Sequence, residues 1–319
     1  MGVQGIELAP ASRMTNERYD VAVVGGGPAG LAAALWLARY LHKVVVVDSG
    51  DPRNWETRGI NGFLSRPGIR PPELRALGRE DCAKYGVEFV SDVVDEALNE
   101  TGELFAICLR GGTTIEARRI LLAIGIKDVW PAIPGLDRCY GDTVHVCPDC
   151  DGYETIDKKT VVVGVGRKAV GMALSLTTWT RQIVICTNGE KPEMDDELLE
   201  RLKGLNIPVL EARIQCAIAK ESEITGLELE GGMLLDCERL FFAIGQYPAD
   251  DLGAQLGCKR DALGRLVIDD RNHTSVLNVF AAGDIAPGPQ LAIYAAASGA
   301  VAALAIHASL VPDSRKLPI

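Results

Sequence analysis

The residues best suited to chemistry lie in one short stretch, His145 to Glu154, which reads HVCPDCDGYE. Cys147 and Cys150 are three positions apart, with Pro148 between them and Asp151 directly after. Two thiols at this spacing can bind a metal ion, form an inert pair, or carry electrons through a reversible disulfide. The third use requires an electron partner elsewhere in the chain.

The local sequence favours a redox-active disulfide. Pro148 suits the first turn of a helix, and a helix N-terminus lowers the pKa of a thiol placed there. A spacing of three puts both sulfurs on one side of that turn, which is compatible with a disulfide. A zinc site could recruit Cys139 and His145, but structural zinc sites usually take ligand pairs from two separated knuckles. Zinc binding and inert thiols stay open as alternatives.

A candidate electron partner is suggested near the N-terminus, where an apolar strand runs into a glycine-rich turn at Val21 to Gly30, VAVVGGGPAG. A helical pattern follows, and a second apolar strand ends at Asp48. This order predicts a βαβ unit with a dinucleotide fingerprint. Gly25 allows the tight turn, Gly27 lets backbone N–H groups approach a pyrophosphate, and Gly30 lets the helix lie close to the strand. Asp48 can accept hydrogen bonds from ribose hydroxyls.

The same pattern returns 139 positions later, because Thr160 to Gly166, TVVVGVG, aligns on Val21 to Gly27 without a gap. Gly164, Gly166 and Ala169 take the places of the three fingerprint glycines. The chain therefore carries two Rossmann-like units, and the fold class is α/β.

The segments after the second unit have no counterpart within it and look like the closing half of the first domain, which predicts that the second domain is inserted into the first. We expect a flexible N-terminal lead at residues 1–17, a first domain at 18–128 and 250–319, and an inserted unit at 129–249 that carries the cysteine pair. The crossing segments are rich in proline and glycine.

Bulk composition disfavours other classes of protein. The formal net charge of −10 argues against broad binding to nucleic acid or anionic membranes. Nine cysteines without a regular framework indicate a reducing compartment, and the N-terminus lacks the apolar core of a signal peptide, so we expect a cytoplasmic protein. The apolar run from Gln290 to Leu310 is interrupted by polar residues, which favours a buried core helix over a membrane span.

Taken in order, the motifs resemble the low-molecular-weight thioredoxin reductases, flavoproteins of the pyridine nucleotide–disulfide type, over roughly residues 18–310. That family combines GGGPAG, C-x-x-C-D, a second G-x-G-x-x-A and a late AAGD. Here these are Gly25 to Gly30, Cys147 to Asp151, Gly164 to Ala169, and Ala281 to Asp284. The resemblance implies that the first unit holds FAD, that the dithiol domain rotates between flavin and partner, and that the protein is a homodimer.

The resemblance also implies roles for individual residues. Asp284 would bind the ribityl chain, and the helix starting near Gln290 would point its N-terminus at the flavin, where it stabilises negative charge on the reduced ring. Asn61 falls where the family places a flavin-contacting asparagine, and Asn54 is a similar candidate. The predicted FAD-binding residues are Gly25, Gly27, Pro28, Ala29, Gly30, Asp48, Asn54, Asn61, Gly125, Gly283, Asp284, Gln290, Leu291 and Ala292.

By the same resemblance, Cys150 lies against the flavin and Cys147 exchanges with the substrate, an external disulfide such as that of thioredoxin. Asp151 would be the acid–base group for the thiols. Alternatively, Asp151 only stabilises the start of a helix. His145 could assist proton transfer, although a lone histidine is more often structural.

The candidate nicotinamide site, at Gly164, Gly166 and Ala169, departs from the family pattern. NADPH-using members follow the second strand with H-R-R-x-x-x-R, which pairs with the 2′-phosphate. This chain reads CTNGEKP there, without arginine, and Thr187 stands where a carboxylate would bind the ribose of NAD. Two interpretations follow: an unconventional NADPH site, or a unit that has lost the nucleotide and a flavin reduced by another donor such as ferredoxin.

Three functions are therefore considered. The first is an FAD-dependent reductase of a protein disulfide. The second reverses the flow, because relatives of this fold oxidise small-molecule dithiols and pass the electrons to oxygen. The third is a non-enzymatic flavin-binding or zinc-binding module.

Overall fold

The structure is a computed structural model of the 319-residue chain, and it describes residues 14–54 and 57–317. The described residues form two compact units. Unit 1 contains residues 14–52, 75–126 and 248–317, and unit 2 contains residues 53–54, 57–74 and 127–247. This division differs from the predicted domains mainly at residues 53–54 and 57–74, which lie with the dithiol unit. Within this segment, Arg58 forms an ion pair with Asp142, and the Arg58 N–H donates to the Gly141 oxygen at 3.2 Å.

The described residues form seventeen strands and seven α-helices. Up to residue 128 they are β1 (Met14–Val24), α1 (Pro28–Arg39), β2 (Val44–Val47), α2 (Pro71–Ala83), β3 (Glu88–Val90), β4 (Val94–Asn99), β5 (Phe105–Leu109), β6 (Thr114–Leu122) and β7 (Ile126–Asp128). The next stretch contains β8 (Val144–His145), α3 (Pro148–Asp151), β9 (Thr160–Val163), α4 (Gly166–Leu176), β10 (Ile183–Cys186), α5 (Asp196–Gly204), β11 (Val209–Leu210), β12 (Ile214–Lys220), β13 (Glu223–Leu229), β14 (Leu234–Asp236), β15 (Arg239–Phe242) and β16 (Gln246–Pro248). The last elements are α6 (Leu252–Gln255), β17 (Val279–Ala281) and α7 (Ala292–Leu310).

The sheet of unit 1 has the strand order β3-β2-β1-β6-β5-β4, and β17 pairs with the end of β6. The strands around β1 are parallel, whereas β4 and β5 are antiparallel. Val21 and Val23 face the core formed with α1 and α7, while Ala22 and Val24 face a second core on the opposite side. Both faces of β1 are buried at Val21 to Val24, which explains why this part of its sequence is apolar without alternation.

The start of β1 lies earlier than the sequence predicted. Residues 14–17 were assigned to the flexible lead, but they extend β1, and Met14 pairs with Thr114 of β6 across a register shift. The rest of the predicted lead, residues 1–13, lies outside the described residues.

Unit 2 contains a second parallel sheet, with strand order β11-β10-β9-β15-β8, and an antiparallel sheet of β12, β13 and β14. Val161 and Val163 of β9 face one core and Val162 faces the other, as in β1. The prediction of two Rossmann-like units is therefore confirmed.

The two crossing segments pair with each other, since β7 and β16 form a two-stranded sheet. Two backbone hydrogen bonds flank it: Val129 N–H donates to Gly245 at 2.8 Å, and Ala249 N–H donates to Gly125 at 3.2 Å.

The alanine-rich run forms α7, whose small buried residues pack on α1. Within residues 14–54 and 57–317, α7 is the one helix long and apolar enough to span a membrane by length and composition. Core helices meet the same criteria.

Candidate active site

The first glycine loop closes tightly where β1 meets α1. Gly25 has a φ of +105°, and a Cβ there would overlap the carbonyl oxygen of Ala123 just after β6. A Cβ on Gly30 would overlap the Gly25 oxygen, so only glycine permits this approach of helix to strand. Gly27 faces open space, and α1 begins after it without a side-chain cap. The first N–H groups of α1 are thus left for an anion such as a pyrophosphate.

Asp48 lies at the end of β2 and is held by two arginines of α2. Its Oδ2 accepts hydrogen bonds from Arg75 Nη2 at 2.6 Å and Arg79 Nη2 at 2.9 Å, while Oδ1 accepts one from Gly50 N at 3.3 Å. Burial alone would raise the pKa of Asp48, but the two guanidinium groups outweigh it and hold the pKa below its ordinary value. Asp48 is therefore an ionised acceptor, as a ribose-binding residue must be.

Arg75 also fastens the glycine loop, because its Nε donates to the carbonyl oxygen of Gly26 at 3.3 Å. Neither arginine was predicted from the sequence. Their spacing of four residues, which places Arg75 and Arg79 on one face of α2, was the available signal.

The late AAGD motif and the start of α7 lie against the start of α1. Gly283 has a φ of +77°, and a Cβ there would lie 2.9 Å from the Cβ of Ala29. A Cβ on Gly299 of α7 would overlap the Ala29 oxygen. Asp284 follows in a 3-10 turn, and Leu291 caps α7 without a side-chain hydrogen bond.

Unit 1 thus combines an uncapped helix start, bare glycines and an ionised carboxylate at the end of β2. These features fit the pyrophosphate and ribose of a dinucleotide. Of the remaining predicted FAD-binding residues, Pro28 is the first residue of α1, Gly125 adopts a φ of +70° after β6, Gln290 precedes α7, and Ala292 is its first residue.

Cys147 and Cys150 form a disulfide across the first turn of α3, with their Cα atoms 5.3 Å apart. Cys147 is the N-cap residue, and its sulfur accepts a hydrogen bond from Cys150 N–H at 3.2 Å. Pro148 occupies the first helical position, as predicted. Both cysteines are partly exposed. The sulfurs are thus already paired with each other, and the described residues contain no cluster of metal ligands.

Gly152, Trp179 and Asn61 of unit 2 contact this turn. A Cβ on Gly152 would overlap the Trp179 ring, so only glycine lets α3 pack there. Asn61 Nδ2 donates to the carbonyl oxygen of Cys150 at 3.5 Å. Asn54, the other asparagine assigned to the flavin, lies in a turn where its carbonyl oxygen accepts a hydrogen bond from Thr57 N–H at 3.2 Å.

The side chain of Asp151 is only 15% exposed and lies beside His145. Asp151 Oδ2 is 3.4 Å from His145 Nδ1, and the His145 side chain is 4% exposed. The ring of His145 packs on Phe241, its register partner in β15. His145 and Asp151, two titratable residues of the HVCPDCDGYE stretch, are therefore neighbours in space.

The second glycine loop, like the first, passes close to the residue that follows a neighbouring strand. Gly164 has a φ of +154°, and a Cβ there would lie 2.9 Å from the Ala243 oxygen. Ala169 is fully buried. Gly166, however, donates its N–H to the carbonyl oxygen of Pro192 at 2.8 Å. A backbone donor of this loop is therefore already used within the chain.

The segment of residues 187–195, called the 187–195 loop below, folds back so that Pro192 contacts the second glycine loop at Gly166. The hydroxyl of Thr187 donates to the Glu190 oxygen at 2.5 Å, and Arg167 of α4 forms an ion pair with Asp195 at 3.0 Å. A phosphate here would meet the Pro192 carbonyl oxygen and the acidic residues Glu190, Glu193 and Asp195, and Arg167 is already paired with Asp195.

A model of the family "Pyridine nucleotide-disulphide oxidoreductase" matches residues 19–299. The chain belongs to this family. It is therefore an FAD-binding flavoprotein and an oxidoreductase, which confirms the expected cofactor and family and overturns the interpretation as a non-enzymatic module. FAD, when bound, accepts and gives up electron pairs. The first glycine loop and Asp48 are the residues that would hold its pyrophosphate and ribose.

Several known proteins are similar to this chain over most of its length. The chain is 28% identical to "Probable thioredoxin reductase" of Arthroderma benhamiae, over 92% of this chain and 81% of that protein. It is 29% identical to an alkyl hydroperoxide reductase component from Pseudomonas putida, over 94% of this chain but only 59% of that longer protein. The solved structure of HlmI is 34% identical, with a TM-score of 0.87 over 93% of this chain and 94% of that one. The chain is a flavin disulfide oxidoreductase.

Proposed function

We propose that the protein exchanges electrons with its substrate through the Cys147–Cys150 disulfide, and that this substrate is a protein disulfide of the thioredoxin type. The observation that carries the proposal is a partly exposed disulfide across the first turn of a helix, with a carboxylic acid directly after it. The named thioredoxin reductase relative supports the choice of substrate.

The exchange uses groups of this chain alone once the disulfide has been reduced. The Cys147 thiolate attacks one sulfur of the partner disulfide, and the first partner thiolate leaves and takes up a proton. The Cys150 thiolate then attacks the Cys147 sulfur, the second partner thiolate leaves and is protonated, and Cys147–Cys150 forms again. The partner has gained two electrons from the two enzyme thiolates and two protons, of which we propose that Asp151 donates one and water the other.

Replacing either cysteine tests this function. Cys147→Ser and Cys150→Ser should abolish reduction of thioredoxin while the protein keeps its FAD, and Cys150→Ser should trap a mixed disulfide with the partner at Cys147. Cys216→Ser, at a partly buried free thiol, is the control and should keep full activity. Turnover by both single variants at the native rate would refute the proposal.

We further propose that the flavin is reduced by a donor other than a nicotinamide, such as reduced ferredoxin. Two observations support this: Gly166 N–H is bound by Pro192, and the segment after β10 lacks arginine. Anaerobic addition of NADPH or NADH should leave the visible flavin band unchanged, while dithionite or reduced ferredoxin bleaches it. Rapid bleaching by NADPH would contradict the proposal and restore Gly164, Gly166 and Ala169 as a nucleotide site.

The same loop favours a second candidate, an oxidase of small-molecule dithiols, because such an enzyme needs no nicotinamide. A dithiol would become a disulfide as oxygen becomes hydrogen peroxide, which balances two electrons and two protons. The oxidase is tested by peroxide production from small dithiols. Rapid oxygen use together with failure to reduce any thioredoxin would replace the first candidate by the second.

We also propose a cytoplasmic homodimer. α7 leaves an apolar stripe exposed beside its buried face, formed by Ile293, Ala297, Val301, Leu304 and Ala308. A second copy of the chain would remove this stripe from water, which matches the dimer implied by the resemblance.

A further inference from the structure

His145 is a buried histidine with one ring nitrogen left without a partner. Its side chain is 4% exposed, and among the described residues its Nε2 is the one buried side-chain nitrogen or oxygen without a hydrogen bond. A buried polar atom without a hydrogen bond lowers the stability of the fold, so its presence calls for an explanation.

The environment of the ring fixes where its proton resides. A proton on Nε2 would bury an N–H donor with no acceptor, whereas a bare Nε2 is an under-satisfied acceptor, which is the less costly defect. The neutral ring therefore carries its proton on Nδ1, and Nδ1 faces Asp151 Oδ2 at 3.4 Å. The separation is longer than a strong hydrogen bond, as is common for catalytic contacts before the substrate binds.

Two elements hold the His145 ring with its Nδ1 towards Asp151. β8 pairs in parallel with β15 so that His145 lies opposite Phe241, and the two rings pack with their centres 5.2 Å apart. Asp151 reaches the ring from the last residue of α3, whose first turn carries the disulfide. Asp151 directly follows Cys150, and its carboxyl group faces a histidine of the same short segment.

We propose that His145 is a positioning residue for Asp151: its Nδ1–H orients the carboxyl group so that Asp151 can protonate the thiolate leaving the Cys147–Cys150 disulfide. This rests on the proposed function of that disulfide. In the step concerned, an incoming thiolate bonds to one enzyme sulfur, the S–S bond breaks with its electron pair on the other sulfur, and the Asp151 proton moves to that sulfur. The step is reversible, so the same contact serves both directions of electron flow.

The test measures the rate at which dithiothreitol opens the disulfide under anaerobic conditions, per FAD-loaded molecule. His145→Phe keeps the ring shape but removes Nδ1–H, and should slow the reaction by about tenfold, a fraction of the effect of an acid–base group. His145→Asn keeps an N–H near the Nδ1 position and should remain within about threefold of the native rate. Equal rates for the two variants would overturn the proposal.

A double variant separates positioning from structural support. If His145 acts through Asp151, adding His145→Phe to Asp151→Asn should leave the rate of Asp151→Asn unchanged. The same slowing in both backgrounds would also overturn the proposal. Phe241→Leu loosens the ring packing and keeps Nδ1–H; it should lower the melting temperature without the tenfold slowing.

The cysteine variants show which proposal has failed. Loss of exchange in Cys147→Ser, together with unchanged rates in both His145 variants, refutes only the role of His145. Unchanged exchange in Cys147→Ser refutes the proposed function itself.

Discussion

At the scale of single residues, the predicted ribose-binding residue Asp48 is kept ionised by two neighbouring arginines. The folded-state pKa of Asp48 lies below the value of about 3.9 expected in the unfolded chain. A carboxyl group whose pKa is lowered by folding contributes stability above its unfolded pKa, and this contribution is lost as the pH falls through the folded pKa. Arg75 and Arg79 thus stabilise the ionised form of Asp48 in the folded protein, and their contribution is lost only as the pH falls below the unfolded pKa of about 3.9.

Arg75→Ala should lower the affinity for FAD and shift acid-induced release of FAD to a higher pH. It removes the 2.6 Å contact to Asp48 and the contact to Gly26, at a cost of about 1–3 kcal/mol. Flavin fluorescence, which rises when FAD is released, measures both effects. Arg110→Ala removes an exposed ion pair with Asp95 and is the matched control. Identical release curves for the two variants would show that Arg75 does not support the site.

At the scale of elements, two helices touch through a glycine where a larger residue cannot fit. α7 passes so close to α1 that Gly299 faces the carbonyl oxygen of Ala29 directly. Because Ala29 lies in the first turn of α1, this packing also fixes the helix start that faces the pyrophosphate.

Gly299→Ala should therefore destabilise the protein by about 1–3 kcal/mol through overpacking and weaken FAD binding. Gly171→Ala in α4 is the control, because its Cβ would meet nothing within 4 Å. The helix propensity of alanine should make that variant more stable by about 0.5–1 kcal/mol. Opposite signs in thermal unfolding are expected, and equal stability of the two variants would contradict this account of the packing.

At the scale of the whole molecule, the exposed apolar stripe of α7 is the observation that supports the proposed homodimer. Val301 is 40% exposed and Leu304 48% exposed. A Leu304→Glu substitution would bury a charge in a dimer interface but leave a monomer unharmed. Sedimentation should give twice the chain mass for the native protein and the single chain mass for Leu304→Glu. Leu277→Glu, at a site 73% exposed outside the helix, should stay dimeric. A native monomer would exclude the homodimer.

Much of this architecture follows from local sequence signals. The glycine spacing and apolar runs predicted both βαβ units, and Pro148 after Cys147 predicted the helix that carries the disulfide. The contacts that the sequence missed join distant segments: Asp48 with Arg75 and Gly166 with Pro192 lie 27 and 26 positions apart. No periodic pattern encodes such pairs, because they depend on how loops fold back after the strands end.

The contact between Gly152 and Trp179 gives the molecule an internal optical reporter. The indole lies against the helical turn that contains the disulfide, and a disulfide near an indole quenches its emission. Opening Cys147–Cys150 should brighten Trp179, so the redox state of the dithiol could be followed by ultraviolet fluorescence without any added substrate or visible flavin signal. In Trp179→Phe the change should disappear, whereas in Trp36→Phe it should persist.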